Sequence, residues 1–311
     1  MTTDELQDDT NVAEVLTTGP SLRMRAITWL LRLKGKRGDD AAVLRQTYDA
    51  RDYPEAPPPP QRLRRVYDVT MRDVDGWPVY TVTPKADAPT KHIIYLHGGS
   101  YVHQLNHNHW NAVTALAQAT GAQITVPLYP LAPEYDHAAA FALVDTLFTA
   151  LLTTYAADDV ILCGDSAGAG LALGFAIGQR DQGGSLPGRL ILFAPWLDIT
   201  MADPAAQAVE SSDVMLKIDR LRETGRWWAG GRDPRHPILS PLFANLTDLP
   251  PIDIYQGTAD VFIVDTRRFA CRAEGAVVTL YEFNGAFHAF PVATFLPEAK
   301  TVYRRIARDL Q

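Results

Sequence analysis

Between residues 93 and 283 short apolar runs alternate with stretches of helical periodicity. The runs 93–96 (IIYL), 123–127 (QITVP), 160–163 (VILC), 190–193 (LILF), 252–255 (IDIY) and 277–283 (VVTLYEF) show little polar alternation. That pattern predicts strands covered on both faces rather than strands with one wet side. The intervals 108–120, 137–155, 167–180 and 264–274 place apolar residues at helical spacing and predict helices. Strands separated by helices give an α/β fold with a mostly parallel central sheet flanked by helices. Ahead of this region, residues 66–83 read as two strands joined at Asp75-Gly76, a dipeptide suited to a tight hairpin. No internal repeat is present.

Two intervals break the rhythm. Residues 21–34 (SLRMRAITWLLRLK) set Leu22, Ile27, Trp29, Leu30 and Leu31 among basic residues, which predicts an amphipathic helix with an unusually broad apolar stripe. Such a helix can lie on a membrane surface or cover a pocket, and packing is the expected fate. The four prolines at 57–60 break any helix and form a stiff spacer. Residues 1–60 are therefore expected to be an N-terminal cap segment and linker, and residues 61–311 the main α/β domain. Residues 199–238 contain Met201, Met215, Trp227, Trp228 and a Gly-Gly pair but no clear strand. As an insertion between two strands they read as a small helical cap over the strand ends, where ligands of open α/β sheets bind. The paired tryptophans would line an apolar pocket or pack the cap together.

Composition narrows the function classes. The chain has 311 residues, 47% of them hydrophobic and 21% charged, with a net charge of −7. A core of good size is expected, and nucleic acid is not expected as a partner, because no basic patch interleaved with aromatic residues occurs. The two cysteines, Cys163 and Cys271, cannot supply a disulfide framework and are expected to be buried small hydrophobes. Residues 1–9 are acidic and polar, unlike a secretory signal, and no apolar run is long enough to span a bilayer. A soluble, cytoplasmic protein without stable membrane insertion is the expectation.

The strongest chemical signal is Gly164-Asp165-Ser166-Ala167-Gly168, which follows the apolar run 160–163 and opens the helix predicted from 167. A G-x-S-x-G sequence between strand and helix forms a nucleophile elbow, where a sharp turn holds the serine hydroxyl out toward substrate. A second signal, His97-Gly98-Gly99-Ser100, follows the run 93–96. Glycines let such a loop approach substrate closely, and Gly98, Gly99 and Ser100 are candidates for an oxyanion hole. The Gly99 and Ser100 N–H groups would donate, joined by that of Ala167.

Serine needs a base, and the base needs a partner that fixes its tautomer. Among eight histidines, His288 follows the last predicted strand, where the order Ser, acid, His places the base. The acid is expected to be Asp260, after the run 252–255. Asp265 is better explained as first-turn charge for the following helix, and Asp198 sits at the end of an earlier strand. His103, His107 and His109 lie close together but lack a matching carboxylate or cysteine set, so metal binding there is the minority reading and no metal is expected.

With these residues in place the chain resembles the hormone-sensitive-lipase-like esterases, also called α/β-hydrolase fold 3. The likeness runs from about Tyr67 to the C-terminus. It rests on the His97-Gly98-Gly99 loop, Tyr129-Pro130-Leu131-Ala132-Pro133-Glu134, the serine elbow, Ser240-Pro241-Leu242, and the Asp260 and His288 segments taken together. It implies an α/β-hydrolase fold and a cofactor-independent serine carboxylesterase that acts on short acyl chains of small-molecule esters. It also implies a homodimer formed through the edge strand 277–283. Two departures stand out: Ser100 replaces the last glycine of the family's His-Gly-Gly-Gly loop, and Val261-Phe262-Ile263-Val264-Asp265 follows the aspartate where the family often has a more acidic stretch. The same triad also serves amidases and deacetylases, and the same fold can host a non-catalytic ligand-binding protein.

Overall fold

The computed structural model describes residues 11–16, 19–36, 41–49, 55–86 and 88–310, so the acidic stretch 1–9 lies outside the described residues. Its strands are β1 (Asn11–Leu16), β2 (Tyr67–Val74), β3 (Trp77–Pro84), β4 (His92–Leu96), β5 (Gln123–Pro127), β6 (Val160–Asp165), β7 (Arg189–Phe193), β8 (Ile252–Gly257) and β9 (Val278–Phe283). They form one sheet in the order β1-β9-β8-β7-β6-β4-β5-β3-β2. From β1 across to β5 every neighbouring pair is parallel. Only β3 runs against its neighbours β5 and β2.

The helices are α1 (Leu22–Lys34), α2 (Ala41–Asp49), α3 (Gln61–Val66), α4 (His107–Thr120), α5 (His137–Leu151), α6 (Ala167–Asp181), α7 (Pro204–Glu210), α8 (Ile218–Ala229), α9 (Ile263–Cys271) and α10 (Pro297–Asp309). Alternate residues of each central strand feed two separate cores. Ile94, Leu96, Leu162, Leu192 and Ile254 join the core under α5, α6 and α9. Ile93, Tyr95, Ile161, Cys163 and Phe193 join the opposite one, under α1, α4 and α10. Because side chains alternate across a strand and both faces are dry, the central strands read as largely apolar runs.

The hairpin of β2 and β3 turns at Asp75 and Gly76, both with positive φ (52° and 87°), as its dipeptide predicted. Several boundaries differ from expectation. The helix predicted over 137–155 ends at Leu151, where the Thr153 hydroxyl donates to the Ala150 carbonyl and competes with helix propagation. The helix predicted to 274 ends at Cys271, ahead of Gly275 with its positive φ. Cys163 is buried as expected, but Cys271 is exposed, since it faces outward on the last turn of α9.

The strand β1 was not anticipated, and it changes one expectation. It pairs in parallel with the whole of β9, from Asn11 opposite Val278 to Leu16 opposite Phe283. The strand 277–283 is therefore not an edge strand, and its outer hydrogen-bonding groups are taken within the chain.

Segment 199–238 lies between β7 and β8 and carries α7 and α8. The N-terminal helices meet it directly. Lys36 Nζ donates to the Glu210 carbonyl at 2.8 Å, Arg45 binds the buried Glu223 carboxylate through Nε and Nη2 at 2.8 and 2.6 Å, and Tyr48 packs edge-on to Trp227 at 5.5 Å. The proline spacer is anchored by the Trp110 indole N–H, which donates to the Pro57 carbonyl at 2.8 Å. Among the described residues no helix is long and apolar enough to cross a membrane.

Candidate active site

Ser166 stands at the junction of β6 and α6 with φ of +54°, a left-handed conformation that a non-glycine residue adopts only when its surroundings enforce it. Three backbone bonds enforce it here. The Ser166 N–H donates to the Phe193 carbonyl at 2.8 Å, and the Ser166 carbonyl accepts from Trp196 and Gly170, each at 3.1 Å. A side chain at Gly168 would collide with the carbonyl groups of Leu96 and His97. The elbow therefore needs glycine there so that α6 can pass tightly over β4.

The loop after β4 brings Gly98 beside the serine: a Cβ on Gly98 would lie 3.1 Å from the Ser166 Cβ. Gly99, with φ of +129°, and the left-handed Ser100 and Tyr101 turn the loop back on itself. The Gly99 carbonyl accepts from the N–H groups of Val102 (3.0 Å) and His103 (2.9 Å). The Tyr129 hydroxyl holds the His97 carbonyl at 2.6 Å. Ala167 begins α6, so its N–H is one of the unpaired donors of a helix start.

His288 and Asp260 complete a hydrogen-bonded chain. His288 Nδ1 lies 2.8 Å from Asp260 Oδ2, and His288 Nε2 lies 2.9 Å from Ser166 Oγ. A carboxylate at Nδ1 favours the tautomer with its proton there, which leaves the Nε2 lone pair facing Ser166 Oγ. Asp260 is wholly buried. Its Oδ2 also accepts from Gln256 Nε2 at 2.8 Å, and its Oδ1 accepts from the Phe262 N–H at 2.9 Å. Burial works against the charged form of His288, but the Asp260 carboxylate, with Asp213 and Asp165 beyond it, outweighs burial and holds the imidazole above its ordinary pKa.

The rival carboxylates go elsewhere. Asp265 binds Arg268 at 3.1 Å, and burial together with Asp198 pushes its carboxyl up to about 7. Asp198 accepts from the Thr200 N–H and hydroxyl at 2.8 and 2.6 Å. Neither makes a hydrogen bond to His288. Of the three clustered histidines, His109 is spent structurally. Its Nδ1 accepts from the Asn106 N–H at the start of α4, and its Nε2 lies 3.4 Å from Asp165 Oδ2.

Two features escaped the sequence reading, and Asp165 was read there only as a member of the elbow motif. Asp213 reaches in from the 199–238 segment: its Oδ2 accepts from the Val261 N–H, next to Asp260, at 3.0 Å, and its Oδ1 accepts from Met215 and Leu216 at 2.7 and 2.8 Å. Burial and the neighbouring Asp260 charge raise the Asp213 carboxyl, against the pull of His288. Asp165, beneath the serine, accepts from the Tyr95 hydroxyl at 2.5 Å. Burial opposes its charge, but His109 and Tyr95 overcome that and hold it below the usual carboxylate range. The second feature, an aromatic column, runs from the inserted segment to the histidine. Trp228 stacks on Tyr101 (3.9 Å), Tyr101 on Trp196 (5.4 Å), Trp196 on Phe262 (5.9 Å), and Phe262 meets His288 edge-on at 5.1 Å. Trp228 is therefore a buried brace, while the partly buried Trp227 packs on Tyr48. The only sequence signal for Asp213 is its place ahead of an apolar pair, too weak to single it out.

The family model described as alpha/beta hydrolase fold matches residues 93–292. An esterase from Acinetobacter venetianus is 31% identical over 265 residues, covering 80% of this chain and 88% of its own length. The crystal structure of EstE5 soaked with p-nitrophenyl butyrate superposes with a TM-score of 0.79 at 26% identity, covering 93% of this chain and 98% of that one. That of EstE7, a hormone-sensitive-lipase homologue from a metagenome library, gives 0.78 at 27% identity, covering 92% and 97%.

Proposed function

Since this chain belongs to the alpha/beta hydrolase fold family, we propose that it hydrolyses short-chain acyl esters through a Ser166, His288 and Asp260 triad and an acyl-enzyme intermediate. Its likeness to esterases makes it a carboxylic ester hydrolase. The observation that carries the triad reading is the chain of two short hydrogen bonds, 2.8 and 2.9 Å, that ends on a serine held in a left-handed elbow.

As Ser166 Oγ attacks the ester carbonyl carbon, His288 Nε2 takes its proton, and the imidazolium so formed is stabilised by Asp260. The carbonyl oxygen becomes an oxyanion that receives the N–H groups of Gly99, Ser100 and Ala167, with Gly98 giving the loop its close approach. Collapse of this intermediate breaks the bond to the leaving alkoxide, which takes the proton from His288. Water then gives a proton to His288 and attacks the acyl carbon, releasing the carboxylic acid and returning the proton to Ser166.

The helical segment 199–238, together with α1 and α2, acts as a cap over this site. The Arg45, Tyr48 and Lys36 contacts hold its two halves together. Support for short acyl groups is the aromatic column filling the space above His288, and the p-nitrophenyl butyrate used with EstE5. The test is turnover of p-nitrophenyl esters from acetate to palmitate by wild type and Ser166→Ala, with a matched p-nitroanilide beside each ester. Turnover that peaks at short chains, prefers the ester and disappears in Ser166→Ala is expected. A long-chain peak, faster anilide cleavage or undiminished turnover by Ser166→Ala would overturn the corresponding part of the reading.

A further inference from the structure

The broad apolar stripe of α1 is in fact two stripes on opposite sides of one helix. Met24 is fully buried, and Ile27 and Leu31 pack partly buried against the core beneath. On the far side Leu22, Trp29, Leu30 and Leu33 are 79%, 59%, 52% and 66% exposed. At ~3.6 residues per turn, Leu22, Ala26, Trp29, Leu30 and Leu33 form one continuous strip. Arg25 and Arg32 run along one margin of it, and Arg23 and Lys34 along the other. Among the described residues nothing in the packing asks for this second stripe.

Its charge is as one-sided as its hydropathy. Residues 19–36 hold five basic residues and no acidic one, in a chain whose net charge is −7. A solvent-facing apolar strip with basic residues on both margins is the arrangement of a helix lying in a bilayer interface. There the apolar residues enter the acyl boundary while long basic side chains reach up to anionic headgroups. Self-association through the same strip would set arginine against arginine, with no acid on the helix to pair them. The charge therefore favours an anionic lipid over a second copy of this chain.

The helix is also well placed. Ser21, its N-cap, donates through its N–H to Glu298 at 2.7 Å. The neighbouring Pro20 ring lies against Gly285, three residues before His288. Beyond its other end Lys36 binds the Glu210 carbonyl in the inserted segment. Thus α1 spans the rim between the histidine loop and the insertion. Arg23 further caps the Phe295 carbonyl at 3.3 Å, and the Phe295 ring, 50% exposed, adds apolar surface beside the strip.

We propose that this face of α1 is a docking surface for anionic phospholipid membranes, seating the protein on the bilayer without spanning it. Binding does not depend on hydrolysis, so the proposal stands or falls apart from the catalytic reading.

The test is cosedimentation of the full chain with phosphatidylcholine vesicles, with and without phosphatidylglycerol, at low and high salt. Two variants change only exposed positions: Trp29→Ser with Leu33→Ser, and Arg25→Glu with Arg32→Glu. Wild type should sediment with the anionic vesicles, poorly with the neutral ones, and less at high salt. Each basic residue near an anionic surface is worth about a fivefold change in partitioning. The arginine pair variant should therefore lose binding by at least about tenfold, and the serine variant should lose it comparably. Both should keep wild-type turnover of p-nitrophenyl acetate, a soluble substrate, which reports an intact fold. Absence of sedimentation by wild type, or equal sedimentation by wild type and both variants, would overturn the proposal. So would a wild-type dimer that becomes monomeric in the serine variant while vesicles bind neither.

Discussion

Replacing Asp260 by asparagine is a severe test of the site because the change is nearly isosteric and the hydrogen-bond inventory decides the outcome. The carboxylate accepts three bonds: two at Oδ2, from His288 and Gln256, and one at Oδ1, from the Phe262 N–H. An asparagine offers one acceptor and one donor. If its amide nitrogen takes the Oδ1 position, it meets the Phe262 N–H head-on, leaving a buried donor unsatisfied at a cost of about 1–3 kcal/mol. If it takes the Oδ2 position, His288 can satisfy it only by carrying its proton on Nε2, which leaves no base facing Ser166. Gln256 has no easy escape, since its own Oε1 already accepts from the Thr266 hydroxyl at 3.1 Å. Either way the imidazolium loses its counter-charge, and kcat should fall on the order of 10⁴-fold. Since Asp260 is what raises the imidazole against burial, the histidine in the variant becomes harder to protonate. The acid limb of kcat/KM against pH should therefore move to lower pH. The assay is p-nitrophenyl acetate turnover from pH 4 to 9 for Asp260→Asn, with Asp265→Asn and Asp198→Asn alongside. A loss of less than about tenfold with an unmoved acid limb, or a larger loss in either of the other two variants, would refute the assignment.

Two further outcomes follow from the buried carboxylates. Asp213→Asn removes a negative charge that helps raise the His288 pKa, so its acid limb should also shift to lower pH while kcat on the plateau changes far less than in Asp260→Asn. An unmoved limb would mean that Asp213 serves only to tie Val261 in place. Asp265, pushed up to about 7 by burial and Asp198, binds its proton more tightly folded than unfolded. Its effect on stability therefore becomes less favourable as pH rises from about 4 to 7. Asp265→Asn should raise Tm by about 2 °C at pH 8, with the gain fading toward pH 4. A gain independent of pH, or a loss at pH 8, would contradict this origin.

The central strands were legible because burial on both faces leaves few polar breaks in them, and the five residues of β5, for example, fall where QITVP predicts. The elbow, the glycine loop and His288 were legible because each lies in a short segment directly after such a run. What escaped was set by tertiary contact. The strand β1 is six residues long, lies far from its partner in sequence, and carries no turn signal to pair it with β9. Asp213 acquires meaning only when the insertion folds back and its carboxylate meets the Val261 N–H. The choice between membrane and pocket for α1 was posed as an alternative because a wide stripe was read as one face. In the fold it divides, with Met24 beneath and Trp29 above.

That division bears on how the site is built. The segments bearing Asp260 and His288 are stitched together by backbone: the Thr258 N–H donates to the Phe283 carbonyl and the Ala259 N–H to the Ala286 carbonyl, at 3.1 and 3.0 Å. The serine is fixed likewise by Phe193 and Trp196. Bonds of this kind depend on strand ends and loop lengths rather than on particular side chains, so they survive wide sequence change around the reacting groups. The contacts above them are of another sort. Tyr48 on Trp227, Arg45 on Glu223 and Trp228 on Tyr101 are side-chain pairs between helices, and Arg45 is largely exposed, so its bridge is worth little alone. The difference in attachment implies that the packing of α1, α2 and α8 can change while the geometry around Ser166, His288 and Asp260 stays fixed.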